Sequence, residues 1–230
     1  MKKYRHIFFD LDGTLWDFVS NSEETQKEMF NIFQLNEHCE SFEIFFEVFQ
    51  RHNDLLWADY QQGKIKKEKL KWWRFYLTLK DFGVENKQLA MKLDDFYLSE
   101  APSKTKLIEG AREILNYLRN DYQLHIITNG FNEVQFLKLD NSELNHFFQE
   151  IITSEDAGAL KPDPIIFEYA LKKVGATRDE SLMIGDILEV DILGARNSGV
   201  DQVFLNQDNV PSNFKPTFEI LKLVELKNFL

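Results

Sequence analysis

Two aspartates two positions apart, Asp10 and Asp12, follow the apolar run Ile7-Phe8-Phe9 and lead into Gly13-Thr14-Leu15. Carboxylates this close repel one another, and the repulsion is tolerated where a cation or a reaction uses the charge. A short apolar run ended by Asp-Gly reads as a buried β-strand delivering its C-terminal end into a loop. In an α/β sheet, ligands bind outside those ends. Taken alone, the pattern is equally an ordinary Asp-Gly turn. Three further polar clusters change the balance. Thr128-Asn129-Gly130 offers a hydroxyl, an amide and backbone N–H groups suited to phosphate oxygens, or else an N-cap. Lys161-Pro162 offers a fixed point charge for an anion, or else a solvated lysine. Gly185-Asp186, with Asp191 five residues on, offers carboxylates that complete a Mg²⁺ site with Asp10, or else a turn and a first-turn helix residue. Each alternative is ordinary by itself. All four clusters, however, fall at the ends of apolar runs, and together they make a phosphoryl-transfer site around a hard cation.

The elements that must position these groups fall into two regions. From about residue 17 to 99 the pattern is helical, with almost no strand signal. Ser20 and Glu23 have capping-box spacing. Phe42, Phe45, Phe46, Phe49, Leu56 and Tyr60 then share a helical face, as do Leu70, Trp73 and Leu77, and a fourth block carries Leu89, Leu93, Phe96 and Tyr97. From Pro102 onward the register alternates. Helices near 111–119, 133–139, 165–174 and 190–197 precede strands at 124–128, 150–153, 182–185 and 202–205. With the first strand, this predicts about five strands in an α/β, Rossmann-like, doubly wound and mostly parallel sheet. The predicted core comprises residues 1–16 and 101–230, split by an all-α four-helix insert over 17–100.

Composition excludes several function classes. A net charge of -11 lacks the basic footprint of a nucleic-acid or anionic-membrane surface. No apolar stretch approaches the roughly 20 residues of a membrane span, and the apolar run at the start is too short for a signal peptide. Cys39 is the only cysteine, so no intrachain disulfide forms. The expectation is a cytoplasmic protein, a monomer or weak homodimer, whose partner is a small phosphorylated substrate.

Asp10-Leu11-Asp12-Gly13-Thr14-Leu15, Thr128-Asn129, Lys161-Pro162 and Gly185-Asp186 with Asp191 resemble, in order and spacing, the four motifs of the haloacid dehalogenase (HAD) superfamily. The helical insert after the first motif resembles that superfamily's C1-type cap. The resemblance implies that Asp10 is a nucleophile forming an aspartyl-phosphate. Asp12 would protonate the leaving oxygen and then activate water. It implies Mg²⁺ held by Asp10, by the backbone carbonyl of Asp12 and by Asp186. Thr128, Asn129 and Lys161 would hold phosphoryl oxygens, and Asp191 would orient Lys161 or a metal-bound water. True dehalogenases of the superfamily lack an acid at the position of Asp12, so its presence favours phosphate esters over carbon–halogen bonds.

For the substrate, Trp16 and Phe18 beside the first motif, with Trp57, Tyr60, Trp72, Trp73 and Tyr76, supply flat surfaces on which a nucleobase could stack. The segment from Phe204 through Pro216, Phe218, Ile220, Leu223 and Leu226 resembles the closing segment of pyrimidine 5′-nucleotidases in the superfamily. A pyrimidine nucleoside 5′-monophosphate is therefore the expected substrate. The alternative is a phosphatase or phosphomutase acting on sugar phosphates or phosphoglycolate. A receiver domain, which is phosphorylated on Asp in order to switch partners, is much shorter and carries no such insert. A binding protein that had lost activity would lack one of the motif residues, and none is missing.

Overall fold

Six parallel strands, β1 (His6–Phe9), β2 (Gln123–Thr128), β3 (Glu150–Thr153), β4 (Ser181–Gly185), β5 (Asp201–Leu205) and β6 (Phe218–Ile220), form one sheet in the order β3-β2-β1-β4-β5-β6. This is seen in a computed structural model describing residues 3–212 and 214–230. Four helices follow β1: α1 (Phe18–Ile32), α2 (Phe42–Gln61), α3 (Lys67–Asp81) and α4 (Lys87–Glu100). Helices α5 (Ala111–Leu118), α6 (Asn132–Asn141), α7 (Ser154–Ala157), α8 (Pro164–Val174) and α9 (Leu193–Asn197) lie between the later strands. The chain forms two units, one running to Phe18 and resuming at Thr105–Leu230, the other spanning Val19–Lys104.

A parallel sheet must be covered on both faces, and the strands here are apolar on both. Ile7, Phe9, Ile126, Ile184 and Val203 pack with Ile114, Leu115 and Leu118 of α5 and with Leu223 and Leu226 of the closing turn. On the opposite face Phe8, Ile127, Ile152 and Met183 pack with Ile166, Phe167 and Ala170 of α8 and with Ala195 of α9. β1 is hydrogen-bonded to β2 on one side and to β4 on the other, with Phe9 level with both Ile126 and Ile184. The strand order reverses there, which opens a crevice at the carboxyl ends where ligands bind in this architecture.

The structure differs from the sequence reading at several elements. β6 is an additional strand, three residues long and too short to give a periodic signal, added beside β5. α1 begins at Phe18, so Ser20 and Glu23 lie inside a helix rather than at its start. In α3 the buried side chains are Leu70, Arg74, Phe75, Thr78 and Leu79, with Trp73 and Leu77 only half-buried. Arg74 draws that face inward. Its guanidinium donates to Asn53 Oδ1 at 3.1 Å and Asp94 Oδ1 at 3.2 Å, and it lies 4.9 to 5.8 Å from the ring centres of Phe49, Phe75 and Tyr97. A charge taken out of water persists only with such partners. Trp16 is fully buried in the core of the sheet unit, so its ring is not at a substrate mouth. Among the described residues, no helix is long and apolar enough to cross a membrane.

One buried polar pair lies on the sheet itself. His6 Nδ1 and His125 Nε2 are 3.1 Å apart, with stacked rings. Burial, reinforced by the neighbouring His6, pulls His125 down to about 4 from the ordinary 6.5. A folded value below the unfolded one gives stability that is complete above pH 6.5 and lost as the pH falls through 4. Urea titrations are expected to show a loss across that interval on the order of 3 kcal/mol greater in the wild type than in a variant lacking the imidazole. A His125→Phe variant should lose markedly less, whereas equal acid sensitivity in both proteins would place the titrating groups elsewhere.

Candidate active site

β1 ends at Phe9, and the next residue, Asp10, is held at the strand end by its N–H donating to the Ile184 carbonyl at 2.9 Å. The chain then turns tightly: the N–H groups of Leu15 and Trp16 donate to Leu11 O, and Gly13 N–H donates to Trp16 O. Gly13 adopts φ +89°, where a side chain is strained, and an added Cβ would lie 2.3 Å from Asp186 Oδ2. The turn thus brings Thr14 against the end of β4, where its hydroxyl donates to Asp186 Oδ1 at 2.7 Å. After β4 the chain enters a π-helical turn, Leu188–Ile192, that leads into α9 and carries Asp191 inward. Ile187 N–H donates to Asp191 Oδ2 at 3.0 Å.

Lys161 joins these strand ends. It is 1% exposed, and its ammonium donates to Asp10 Oδ1 at 2.6 Å, Asp191 Oδ1 at 2.6 Å and the Ile127 carbonyl at 2.8 Å. All three N–H bonds are therefore in use. Asn129 makes a contact that the sequence did not reveal. Its amide oxygen accepts from Lys161 N–H at 2.7 Å and its amide nitrogen donates to the Lys161 carbonyl at 2.9 Å. The side chain thus holds the lysine's backbone at both its N–H and its carbonyl, and the second amide N–H and the main chain remain for other acceptors. Thr128, the last residue of β2, is buried, with its hydroxyl accepting from Gly130 N–H at 3.0 Å.

Asp10, Asp186 and Asp191 place carboxylate oxygens within 4.8 Å of one another. Burial pushes the Asp10 carboxyl well above the ordinary carboxylate range. Lys161 opposes that rise, while Asp191 and Asp186 add to it. Asp186 is pushed up to about 7, first by burial and then by Asp191. Burial also works against the charge on Lys161, but Asp10 and Asp191 overcome it and hold the ammonium above the usual lysine value. Three carboxylates thus face one ammonium, an excess of negative charge with hard oxygen donors. That donor set fits Mg²⁺.

The Asp12 side chain lies outside this trio. Lys138 Nζ donates to its Oδ1 at 2.6 Å and Gln135 Nε2 to its Oδ2 at 2.8 Å. Neither partner was singled out in the sequence. Their signal is the buried face of α6, made of Val134, Gln135, Lys138 and Leu139, which carries two polar residues where an apolar stripe is expected.

A family model described as haloacid dehalogenase-like hydrolase matches residues 4–199. The chain belongs to that family. It is 33% identical to the pyrimidine 5′-nucleotidase YjjG of Escherichia coli (strain K12), over 99% of this chain and 98% of the relative. It is 29% identical to the pyrimidine 5′-nucleotidase PynA of Streptococcus pneumoniae (strain ATCC BAA-255 / R6), over 99% and 95%. The solved structure of the HAD-hydrolase YfnB of Bacillus subtilis, described as bound to magnesium, superposes with a TM-score of 0.90 at 30% identity, covering 99% of this chain and 98% of that one. A dehalogenase structure with an intermediate complex, at 21% identity and TM-score 0.78, shares the fold.

The charge imbalance is open to measurement in metal-free protein. Asp186→Asn removes one of three crowded carboxylates and is expected to leave stability in EDTA unchanged or higher. Lys161→Met strands Asp10 and Asp191 and is expected to be lower by about 3–5 kcal/mol. Urea unfolding of the two variants compares them directly; a lysine variant as stable as the wild type would mean the carboxylates do not depend on it.

Proposed function

We propose that this hydrolase is a Mg²⁺-dependent phosphomonoesterase working through an aspartyl-phosphate on Asp10, with a pyrimidine nucleoside 5′-monophosphate as substrate. The observation that carries the reading is the Asp10 carboxylate at the end of the central strand, ion-paired to buried Lys161 and crowded by Asp186 and Asp191. Such a group needs a second cation nearby to remain an anionic nucleophile.

The cation would be held by Asp10, Asp186 and the Asp12 backbone carbonyl. It would neutralise charge on the phosphoryl group and screen Asp10 from the incoming anion. Asp10 attacks phosphorus, and the bond from phosphorus to the ester oxygen breaks. Asp12 gives its proton to that oxygen, and the alcohol leaves. Asp12, now a carboxylate, takes a proton from water as the water attacks phosphorus, which releases inorganic phosphate and restores Asp10. Thr128 donates to a phosphoryl oxygen through its hydroxyl and Asn129 through its main chain. Lys161 holds the nucleophile's charge and position. Asp191 fixes Lys161 from the other side.

The substrate reading draws on the two relatives named as pyrimidine 5′-nucleotidases and on the helical unit. There, half-buried rings cluster along α2 and α3: Trp73 stacks on Tyr76 at 5.0 Å between ring centres, and Trp57 meets Tyr60 edge-on at 5.7 Å. A base stacked on an aromatic ring gains about 1–3 kcal/mol. Other relatives are a human N-acylneuraminate-9-phosphatase, 24% identical over the whole chain, and an archaeal glyceraldehyde 3-phosphate phosphatase, 35% identical over 47% of it. They make sugar phosphates the competing substrates.

Phosphate release should be assayed over nucleoside monophosphates, sugar phosphates and phosphoglycolate, with and without Mg²⁺. The expected result is selective turnover of pyrimidine monophosphates, abolished by EDTA and by Asp10→Asn. Preference for a sugar phosphate would leave the chemistry standing and replace the substrate. Isomerised sugar phosphate without free phosphate would identify a mutase. Mg²⁺ at about a hundredfold excess over its Kd should also raise unfolding stability by about 2.7 kcal/mol, and a thermal melt that does not respond to Mg²⁺ would remove the cation from the proposal.

A further inference from the structure

We infer that Gln135 and Lys138, on adjoining turns of α6, are positioning residues that lock the Asp12 carboxylate and aim the Thr128 hydroxyl. The inference rests on Asp12 acting as the proton donor of the reaction proposed above.

Lys138 is 5% exposed and Gln135 is fully buried. Lysine is rarely found so far from water unless its charge is matched. Here the ammonium meets Asp12 Oδ1 at 2.6 Å and lies 4.2 Å from the Trp16 ring centre and 5.8 Å from that of Phe18. The ion pair and the ring faces leave the ammonium little freedom to move. Gln135 Nε2 donates to Asp12 Oδ2 at 2.8 Å and to Thr128 Oγ1 at 2.7 Å. The spacing i, i+3 puts both side chains on one face of the helix. Each carboxylate oxygen therefore has its own donor, one charged and one neutral. Rotation about the bond joining the carboxylate to its side chain would break both contacts at once.

The same amide settles the direction of the Thr128 hydroxyl. Oγ1 accepts from Gly130 N–H at 3.0 Å and from Gln135 Nε2. A hydroxyl oxygen has two acceptor positions and one proton. With both positions filled, the proton is left to be donated, which is what a phosphoryl oxygen requires. Gly130 makes the approach possible: a Cβ there would lie 2.1 Å from Gln135 Nε2. Neither residue touches the nucleophile, so their contribution is to geometry at the proton donor and the phosphate donor.

A misplaced acid is felt in proportion to how much the leaving oxygen needs a proton. A nucleoside monophosphate releases an alkoxide-like oxygen, whereas 4-nitrophenyl phosphate releases a stable phenolate that departs unprotonated. Steady-state kinetics on both substrates should compare wild type with Lys138→Met, Lys138→Arg, Gln135→Leu and Asp12→Asn. Leu137→Ala, a change to an exposed residue of the same helix, controls for damage to α6. General acid catalysis contributes about 10²–10⁴-fold. Lys138→Met should accordingly lower kcat on the nucleotide by about 10²-fold, leave KM within a few-fold, and lower kcat on the nitrophenyl ester far less. Lys138→Arg should recover most of the loss. Gln135→Leu should show the same split between the two esters and also weaken competitive inhibition by inorganic phosphate, through the freed Thr128 hydroxyl. If Lys138→Met does not fold, Lys138→Gln, which keeps a donor without the charge, takes its place. Equal losses on both esters, or no loss on either, would overturn the inference while leaving Asp12→Asn to show the leaving-group dependence. Loss of that dependence in Asp12→Asn itself would overturn the acid role and this inference together.

Discussion

A single ammonium group, that of Lys161, is surrounded by the ends of three neighbouring strands and almost entirely removed from water. It contacts Asp10 after β1, the Ile127 carbonyl in β2, and Asp191 in the turn after β4. Its own backbone is held at N–H and carbonyl by Asn129. A buried charge persists only when its partners are fixed around it, so this one group ties together polar atoms from three strand ends. The arrangement is also deliberately incomplete in charge. One lysine cannot balance three carboxylates, and burial magnifies what remains. The raised Asp10 and Asp186 carboxyls are the expression of that remainder. A protein optimised for stability alone would replace such a cluster with packed apolar groups. Its position at the strand-order reversal is what the divalent cation of the proposed reaction would require.

The two aspartates of the first motif, only two positions apart, end up in different surroundings because the chain turns between them. Asp10 belongs to the strand end and to Lys161; Asp12 belongs to the turn and to Lys138. Each carboxylate has a lysine of its own at 2.6 Å, but the neighbours beyond the lysine differ. Around Asp10 they are further carboxylates; around Asp12 they are an amide and two aromatic rings. Unlike surroundings of this kind are what the separate roles proposed for the two carboxylates would require. Gln135 connects the second environment to Thr128, so Asp12 and Thr128 share one hydrogen-bonded support.

Much of this was legible in the sequence, for identifiable reasons. Strands buried on both faces read as plain apolar runs, and β1, β2 and β4 each ended in a polar cluster that marked one edge of the sheet. The parallel sheet and the family followed. What the sequence hid was whatever depended on orientation within an element. α6 inverts the usual rule, with Phe136 and Leu137 exposed and Gln135 and Lys138 buried, so hydrophobic periodicity pointed away from the residues next to Asp12. Trp16 followed the catalytic motif closely enough to be read as part of a substrate mouth, yet it is wholly buried in the sheet unit, where it also faces Lys138. Asn129 was correctly marked as polar and special, but only the fold could show that its side chain holds the backbone of a residue 32 positions away. The inward face of α3 was obscured for a related reason: Arg74 occupies the buried stripe where an apolar residue is expected.

The glycines of the motifs carry the remaining constraint, and it is one of space more than flexibility. A Cβ on Gly13 would run into Asp186, one on Gly130 into Gln135, and one on Gly185 into Asp191, the last at 2.4 Å from its Cβ. In each case the obstructed group is a side chain of the site. At Gly13 two strand-end loops meet, and at Gly130 and Gly185 a segment folds back against its own backbone, in each case where no side chain stands in the way. The sequence pattern of an acidic or hydroxyl residue beside a glycine is thus two statements in one. The polar residue supplies the polar group, and the glycine supplies the room in which a neighbouring side chain can reach it. Substituting either member of such a pair would disturb the same few ångströms of the site, by removing a group in one case and by displacing its neighbour in the other.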